Sequence, residues 1–278
     1  FARYSAATVR DVDAVSGAIF VPAGITIVAG SSADLIASTA EGVLATLAAG
    51  GAAIVVATPH QRAVVALIAD ALWHAGVPHD ALCVAAGTVH QAAEEATVDS
   101  IVMSGPAADV HAISSRQLNA RVHGRNTVII APSADIDEAA AALVTSAFSR
   151  DGAAFESVSL TILAGGIARS DRLSAALVEL TTSWAERAER LAQARIDRGE
   201  ARHVALDEGA LWALTTLEPG QRWLVEPREL ADGTYTPGIR VGVEPGSRFA
   251  SERFAAPVLG ILSAGGVGAA TIVANSLS

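Results

Sequence analysis

Short runs of Ile, Val and Ala alternate along this chain with longer stretches whose apolar residues recur at helical spacing, and glycine or proline separates them. Ile25–Ala29 reads as a strand. Ile36, Ala40, Val43, Leu44 and Leu47 then form one helical stripe, closed by Gly50-Gly51. Ala53–Ala57 is a second strand, ended by Thr58-Pro59. Val64, Val65, Leu67, Ile68, Ala71 and Leu72 mark the next helix, which Gly76-Val77-Pro78 stops: glycine takes the left-handed position and proline cannot continue the helix. Leu82–Ala85 and Ile101–Met103 follow as strands. Repeated strand–helix–strand units with short connections predict an α/β fold with a mostly parallel, doubly wound sheet.

A second unit is expected from near Val122. Thr127–Ala131 is a strand, and Asp135 with Glu138 gives a capping box for a helix to about Phe148. Val158–Ala164, Trp223–Pro227, Ile239–Val243 and Pro257–Leu262 read as strands. Ser170 to about Arg195 reads as a long helix, Asp197 to Glu208 as a charged surface connection, and Val267–Ala274 as a short helix. No internal repeat is evident.

Composition narrows the function classes. The net charge of −10 disfavours a nucleic-acid partner, which needs a basic face. The apolar runs are broken before the roughly 18 residues needed to span a bilayer, so no membrane span is expected. Arg3, Arg10, Asp11 and Asp13 interrupt any secretory h-region. The single cysteine, Cys83, excludes an internal disulfide and fits a cytoplasmic location; it is expected to be a small buried hydrophobe. All 19 basic residues are arginine, which excludes a lysine Schiff base and a P-loop. The seven histidines show no tight metal spacing; His74 and His79 straddle a helix stop. Glu94, Glu95 and Asp99 read as an acidic surface turn. Gly265-Gly266-Val267-Gly268 is a turn into a helix rather than a dinucleotide fingerprint. Trp73, Trp184, Trp212 and Trp223 are scattered and read as separate packing anchors.

Several segments together resemble the aldehyde dehydrogenase superfamily, and within it the L-glutamate gamma-semialdehyde (1-pyrroline-5-carboxylate) dehydrogenase modules of actinobacterial proline utilization A proteins. Gly42–Gly50 resembles the helix before the family's lysine–proline strand. Ala71–Pro78 resembles its Ala-Gly-Val-Pro helix end, and Met103–Pro106 stands where Phe-Thr-Gly-Ser is usual. Leu214–Pro227 is the stretch most specific to the subgroup. Glu252–Leu259 resembles Glu-Val-Phe-Gly-Pro-Val with one residue extra. Asn126–Phe148 resembles the segment joining the catalytic glutamate to the catalytic cysteine. The likeness covers about four fifths of the chain and does not reach residues 1–24.

The resemblance implies a nucleotide-binding-like, Rossmann-type domain from residues 1–120 and 250–278, and a catalytic-like domain from 121–249 inserted before the last strand and helix return to the first. It also implies NAD as cofactor, oxidation of an aldehyde to a carboxylate, and oligomerisation. Followed without a gap, however, the family nucleophile position falls on Phe155 and the family base position on Arg121. A phenyl ring cannot attack a carbonyl, and an always-charged guanidinium cannot take a proton. The oxyanion amide should lie within Ser31–Asp34, where there is no Asn or Gln, and the ribose-binding lysine near Ala57-Thr58 is missing. By the same resemblance Gly105 matches the glycine beside the pyrophosphate, and Glu252 and Phe254 match the residues holding the nicotinamide ribose and ring. Pro106 replaces the phosphate-binding serine and removes a backbone donor.

The expected function is therefore that of a catalytically silent relative with a structural or regulatory role alongside proline catabolism, as a homo-oligomer or with an active homologue. Two alternatives stay open: an NAD-dependent L-glutamate gamma-semialdehyde dehydrogenase, and a nucleotide or small-molecule binding module.

Overall fold

The computed structural model describes residues 2–13, 21–22, 24–31, 35–59, 61–95, 97–105, 113, 118–122, 126–154, 156–200, 206 and 208–277. The chain forms two compact units, Phe1–His123 and Gly124–Ser278, each with its own sheet.

In the first unit, after helix α1 (Ala2–Asp13), strands β1 (Ile25–Ala29), β2 (Ala52–Ala57), β3 (Leu82–Ala86), β4 (Ser100–Gly105) and β5 (Leu118–Val122) lie in the order β3-β2-β1-β4-β5, every pair parallel. Helices α2 (Leu35–Ala48), α3 (Arg62–His74) and α4 (Val89–Glu95) connect them. Val28, Val43, Val55, Val65 and Leu82 fill one layer; Ile27, Val56, Val89 and Ile101 fill the other. A sheet with helices on both faces buries its central strands twice, which is why β1 and β2 are runs of Ile and Val rather than alternating patterns. Two expectations change here. Cys83 is exposed: it sits on β3, an edge strand, where an apolar run need not mean burial on both faces. Glu94 and Glu95 close α4 instead of forming a turn, while Asp99 accepts the Ile25 amide at 2.8 Å beside β1.

The second unit holds β6 (Asn126–Ile130), β7 (Val158–Ala164), β8 (Arg222–Val225), β9 (Gly238–Val241) and β10 (Val258–Ala264) in the order β6-β7-β10-β9-β8; only β8 is antiparallel. Helices α5 (Ile136–Phe148) and α6 (Asp171–Asp197) cover one face, with Leu143, Val144, Leu173 and Leu177 against Leu163, Ile239 and Ile261. Helices α7 (Glu208–Thr215), α8 (Arg248–Ser251) and α9 (Val267–Leu277) cover the other, with Ala213, Phe249 and Ala270 against Leu160, Ile162 and Leu262. The helix starts follow local chemistry. Asp135 caps α5 by accepting the amides of Asp137 and Glu138 at 3.0 and 2.9 Å, and the Ser170 hydroxyl caps α6 by accepting the Leu173 amide at 3.2 Å.

The expected return of residues 250–278 to the first unit is not what the fold does. β10 pairs in parallel with both β7 and β9, so it is a central strand of the second sheet, and α9 packs on that same sheet. An apolar strand buried between two neighbours cannot also present a bare edge, so the Pro257–Leu262 segment offers no association surface. α9 keeps two exposed apolar residues, Val267 and Ile272, the latter 72% accessible. Among the described residues no helix is long and apolar enough to cross a membrane.

Candidate functional site

Phe155, which the resemblance matches to the family nucleophile, and Pro106 lie outside the described residues. Arg121 is in β5, paired with Ser104 of β4. α5 ends at Phe148, and the chain then makes a turn in which Arg150, Asp151 and Gly152 all have positive φ, at 52°, 57° and 69°. Gly152 must be glycine, because a Cβ there would collide with the Ala256 carbonyl. The two non-glycine residues before it carry backbone strain.

Arg253 holds this turn. Its Nη1 donates to the Ser157 carbonyl at 3.3 Å, and its Nη2 donates to the carbonyls of Ala154 and of Gly152, the latter at 3.5 Å. Burial pulls its pKa down, and the nearby Glu156 carboxylate opposes that. The carbonyls on both sides of position 155 are thus engaged by one cation.

The other carried-over residues have structural partners too. Glu252 is ion-paired with Arg248, Oε2 to Nε at 2.9 Å. Phe254 is 7% exposed; it stacks on Phe249 at a centroid distance of 5.7 Å and lies tilted against Trp212 at 5.2 Å. Gly105 ends β4 and is buried; among the described residues a Cβ there would meet only the Met103 methyl, at 3.9 Å. In the first unit, the carboxyl end of β1 is fixed by Gln61, whose Nε2 donates to the Gly30 carbonyl at 3.1 Å, and by the Ser38 hydroxyl, which accepts the Ser31 amide at 3.0 Å.

The densest polar arrangement has no counterpart among the motifs read from the sequence. Arg240, on β9, is fully buried, with its guanidinium 4.1 Å from the Phe249 ring centroid, 4.9 Å from Trp223 and 5.6 Å from Trp212. Two tryptophans expected to be separate anchors therefore share one cation. Arg240 also donates to Gln221 Oε1 at 3.1 Å and to the Ala213 carbonyl. Burial lowers its pKa to about 10, so it stays charged at neutral pH. Glu218 accepts the amides of Arg248 and Phe249 at 2.7 and 3.1 Å. Burial alone would raise its pKa, but these amides, Gln221 and the Arg240 charge together hold it below the usual carboxylate range. The cluster fixes α7, α8 and the β8–β9 hairpin against one another.

Among the described residues no group of His, Cys, Asp and Glu side chains has metal-binding geometry. The Trp73 and His79 rings lie tilted against each other, their centroids 4.6 Å apart.

Comparison with known proteins fits this architecture. Proline utilization A (PutA) from Corynebacterium freiburgense is 28% identical with a TM-score of 0.84, covering 99% of this chain and 29% of that one. PutA from Bdellovibrio bacteriovorus inactivated by N-propargylglycine is 21% identical with a TM-score of 0.74, covering 99% of this chain and 31% of that one. An NAD-dependent aldehyde dehydrogenase from Sinorhizobium meliloti is 18% identical with a TM-score of 0.71, covering 92% and 53%. This chain thus spans under a third of the PutA chains and about half of the dehydrogenase. No curated protein sequence matches it. Residues 23–278 match the aldehyde dehydrogenase family, and the chain belongs to that family.

Proposed function

We propose that this chain is a catalytically silent member of the aldehyde dehydrogenase family, with a structural or regulatory role beside proline catabolism. One observation carries the reading: both reacting positions hold residues without the chemistry, Phe155 for a thiol and Arg121 for a carboxylate. The Arg253 clamp supports it, since the loop carrying position 155 is held by its own carbonyls. Cys83 is the sole thiol, and it lies on an edge strand of the other unit.

The residues present fit NAD poorly. No lysine exists to reach a ribose, Glu252 is committed to Arg248, and Phe254 is committed to an aromatic core. The role that remains is assembly, with further copies or with an active homologue, and the exposed apolar positions of α9 are the surface for it. Native mass spectrometry of the protein purified from its own cells tests this. A stable self-assembly or a complex with an active dehydrogenase is expected. A monomer carrying bound NAD would instead favour the nucleotide-binding alternative.

A further inference from the structure

Strands β7 and β10 are adjacent, parallel and in register, Ala164 beside Ala264, and each leaves the sheet through Gly-Gly: Gly165-Gly166 and Gly265-Gly266. The helices that follow diverge. α6 packs with Leu163 and Ile261 on one face, and α9 packs with Ile162 and Leu262 on the other. This divergence is the topological switch at which α/β sheets open a crevice beyond their strand ends. Because the helix after β10 goes to the far face, the carboxyl ends of β10 and β9 stay open beneath α6.

A pocket of about 260 Å³ lies there. Its floor is hydrocarbon, from Leu163, Leu173, Leu177 and Ile261. Its rim carries the hydroxyl residues Ser174 and Ser263, together with Arg222. Gly220 and Gly242 complete the wall and approach so closely that a Cβ on Gly242 would strike the Gly220 carbonyl oxygen. No carboxylate lines the pocket, and Arg222 forms no ion pair among the described residues. At about 260 Å³ it lies below the range of drug-sized ligand pockets, so it suits a small molecule.

We infer that this pocket binds a small carboxylate with a short hydrocarbon tail, the carboxylate on Arg222 and the two serines, the tail on the leucine floor. A guanidinium with no carboxylate beside it among the described residues favours a carboxylate over a neutral or cationic head. The site lies wholly within the second unit and does not depend on the silent reading above.

Titration of the full ¹⁵N-labelled chain with sodium pentanoate, followed by NMR, tests it. Saturable shifts are expected at the amides of Ser174, Gly242 and Ser263. Arg222→Gln should weaken binding about tenfold, the loss of one charge-assisted contact. Ser174→Phe or, independently, Ser263→Phe should abolish the shifts by filling the pocket, and pentan-1-ol should bind several-fold more weakly than pentanoate. The inference is overturned if those amides show no saturable shift up to about 50 mM, a bound on even very weak binding. It is equally overturned if Arg222→Gln leaves the affinity unchanged or if the alcohol binds as well as the acid.

Discussion

The Arg253 guanidinium donates to the Ser157 carbonyl at 3.3 Å, across 96 residues of chain, and so ties the segment before β10 to the segment before β7. Arg253 lies between Glu252 and Phe254, which the resemblance matches to cofactor positions, and its side chain holds the turn that follows α5.

Arg253→Met should therefore destabilise the second unit. It removes the donors to the carbonyls of Gly152, Ala154 and Ser157. Unsatisfied buried acceptors cost about 1–3 kcal/mol each, and water will recover part of that, so a loss of about 3 kcal/mol is expected from urea unfolding. Arg253→Lys should recover little of it, because an ammonium cannot present the fork that reaches several carbonyls. Stability unchanged in both variants would mean the clamp is incidental.

Asp151→Gly should act in the opposite direction. Asp151 has φ 57° next to Arg150 at 52°, a left-handed pair of non-glycine residues. Relieving one such position should raise stability by about 1 kcal/mol, less the added entropy of glycine in the unfolded chain. A rise in the urea midpoint is the expected reading, and a fall would show that the aspartate side chain outweighs the strain.

Asp232 sets a pH dependence. Its side chain is 0% exposed; it accepts Arg195 Nη1 at 3.0 Å, the Thr234 amide at 3.0 Å and the Thr234 hydroxyl at 2.6 Å. Burial pushes its pKa up, but the Thr234 hydrogen bonds and Arg195 push it down further, and the net shift is downward. A depressed carboxylate contributes stability that is fully present above its unfolded value, about 3.9, and is lost as pH falls through its folded value. Asp232→Asn should thus cost about 2 kcal/mol at pH 7, and the gap from the parent should close below about pH 4. A gap that stays constant down to pH 2 would contradict the assigned charge pairing.

Phe155→Cys should not restore dehydrogenase activity. It supplies a thiol, but Arg121 cannot act as the base and no Asn or Gln lies within Ser31–Asp34. NADH formation by this single variant above the rate without protein would place the base elsewhere. By the same reasoning, calorimetric titration with NAD should give no dissociation constant at or below about 10 μM.

Much of the fold was legible because the strands are β-branched runs between glycine and proline, and because Asp135 and Ser170 announce helix starts in their own neighbourhood. β5 escaped notice: Leu118-Asn-Ala-Arg-Val122 has little β-branched character and lies at a sheet edge, where burial demands less. The sheet that β10 joins was not legible, since a strand's sequence says that it is buried but not between which partners. Arg240 was hidden for a related reason. In Ile239-Arg-Val241 it reads as the solvent-facing member of an alternating strand. Its aromatic neighbours Trp212, Trp223 and Phe249 come from α7, β8 and α8, so only tertiary structure brings them to it. At the candidate site the resemblance assigns Phe155 and Arg121 by position alone, whereas the Arg253 clamp left no trace in the sequence, because its acceptors are backbone carbonyls that carry no sequence signal.

The most direct test of catalytic silence is an assay of NAD-dependent oxidation of L-glutamate gamma-semialdehyde by the purified chain, run alongside Cys83→Ser. Loss of a nucleophile and a base removes orders of magnitude in rate. The account predicts that NADH forms no faster with either protein than without protein. Turnover above that background would contradict it, and turnover surviving in Cys83→Ser would further show that the chemistry needs no thiol from this chain.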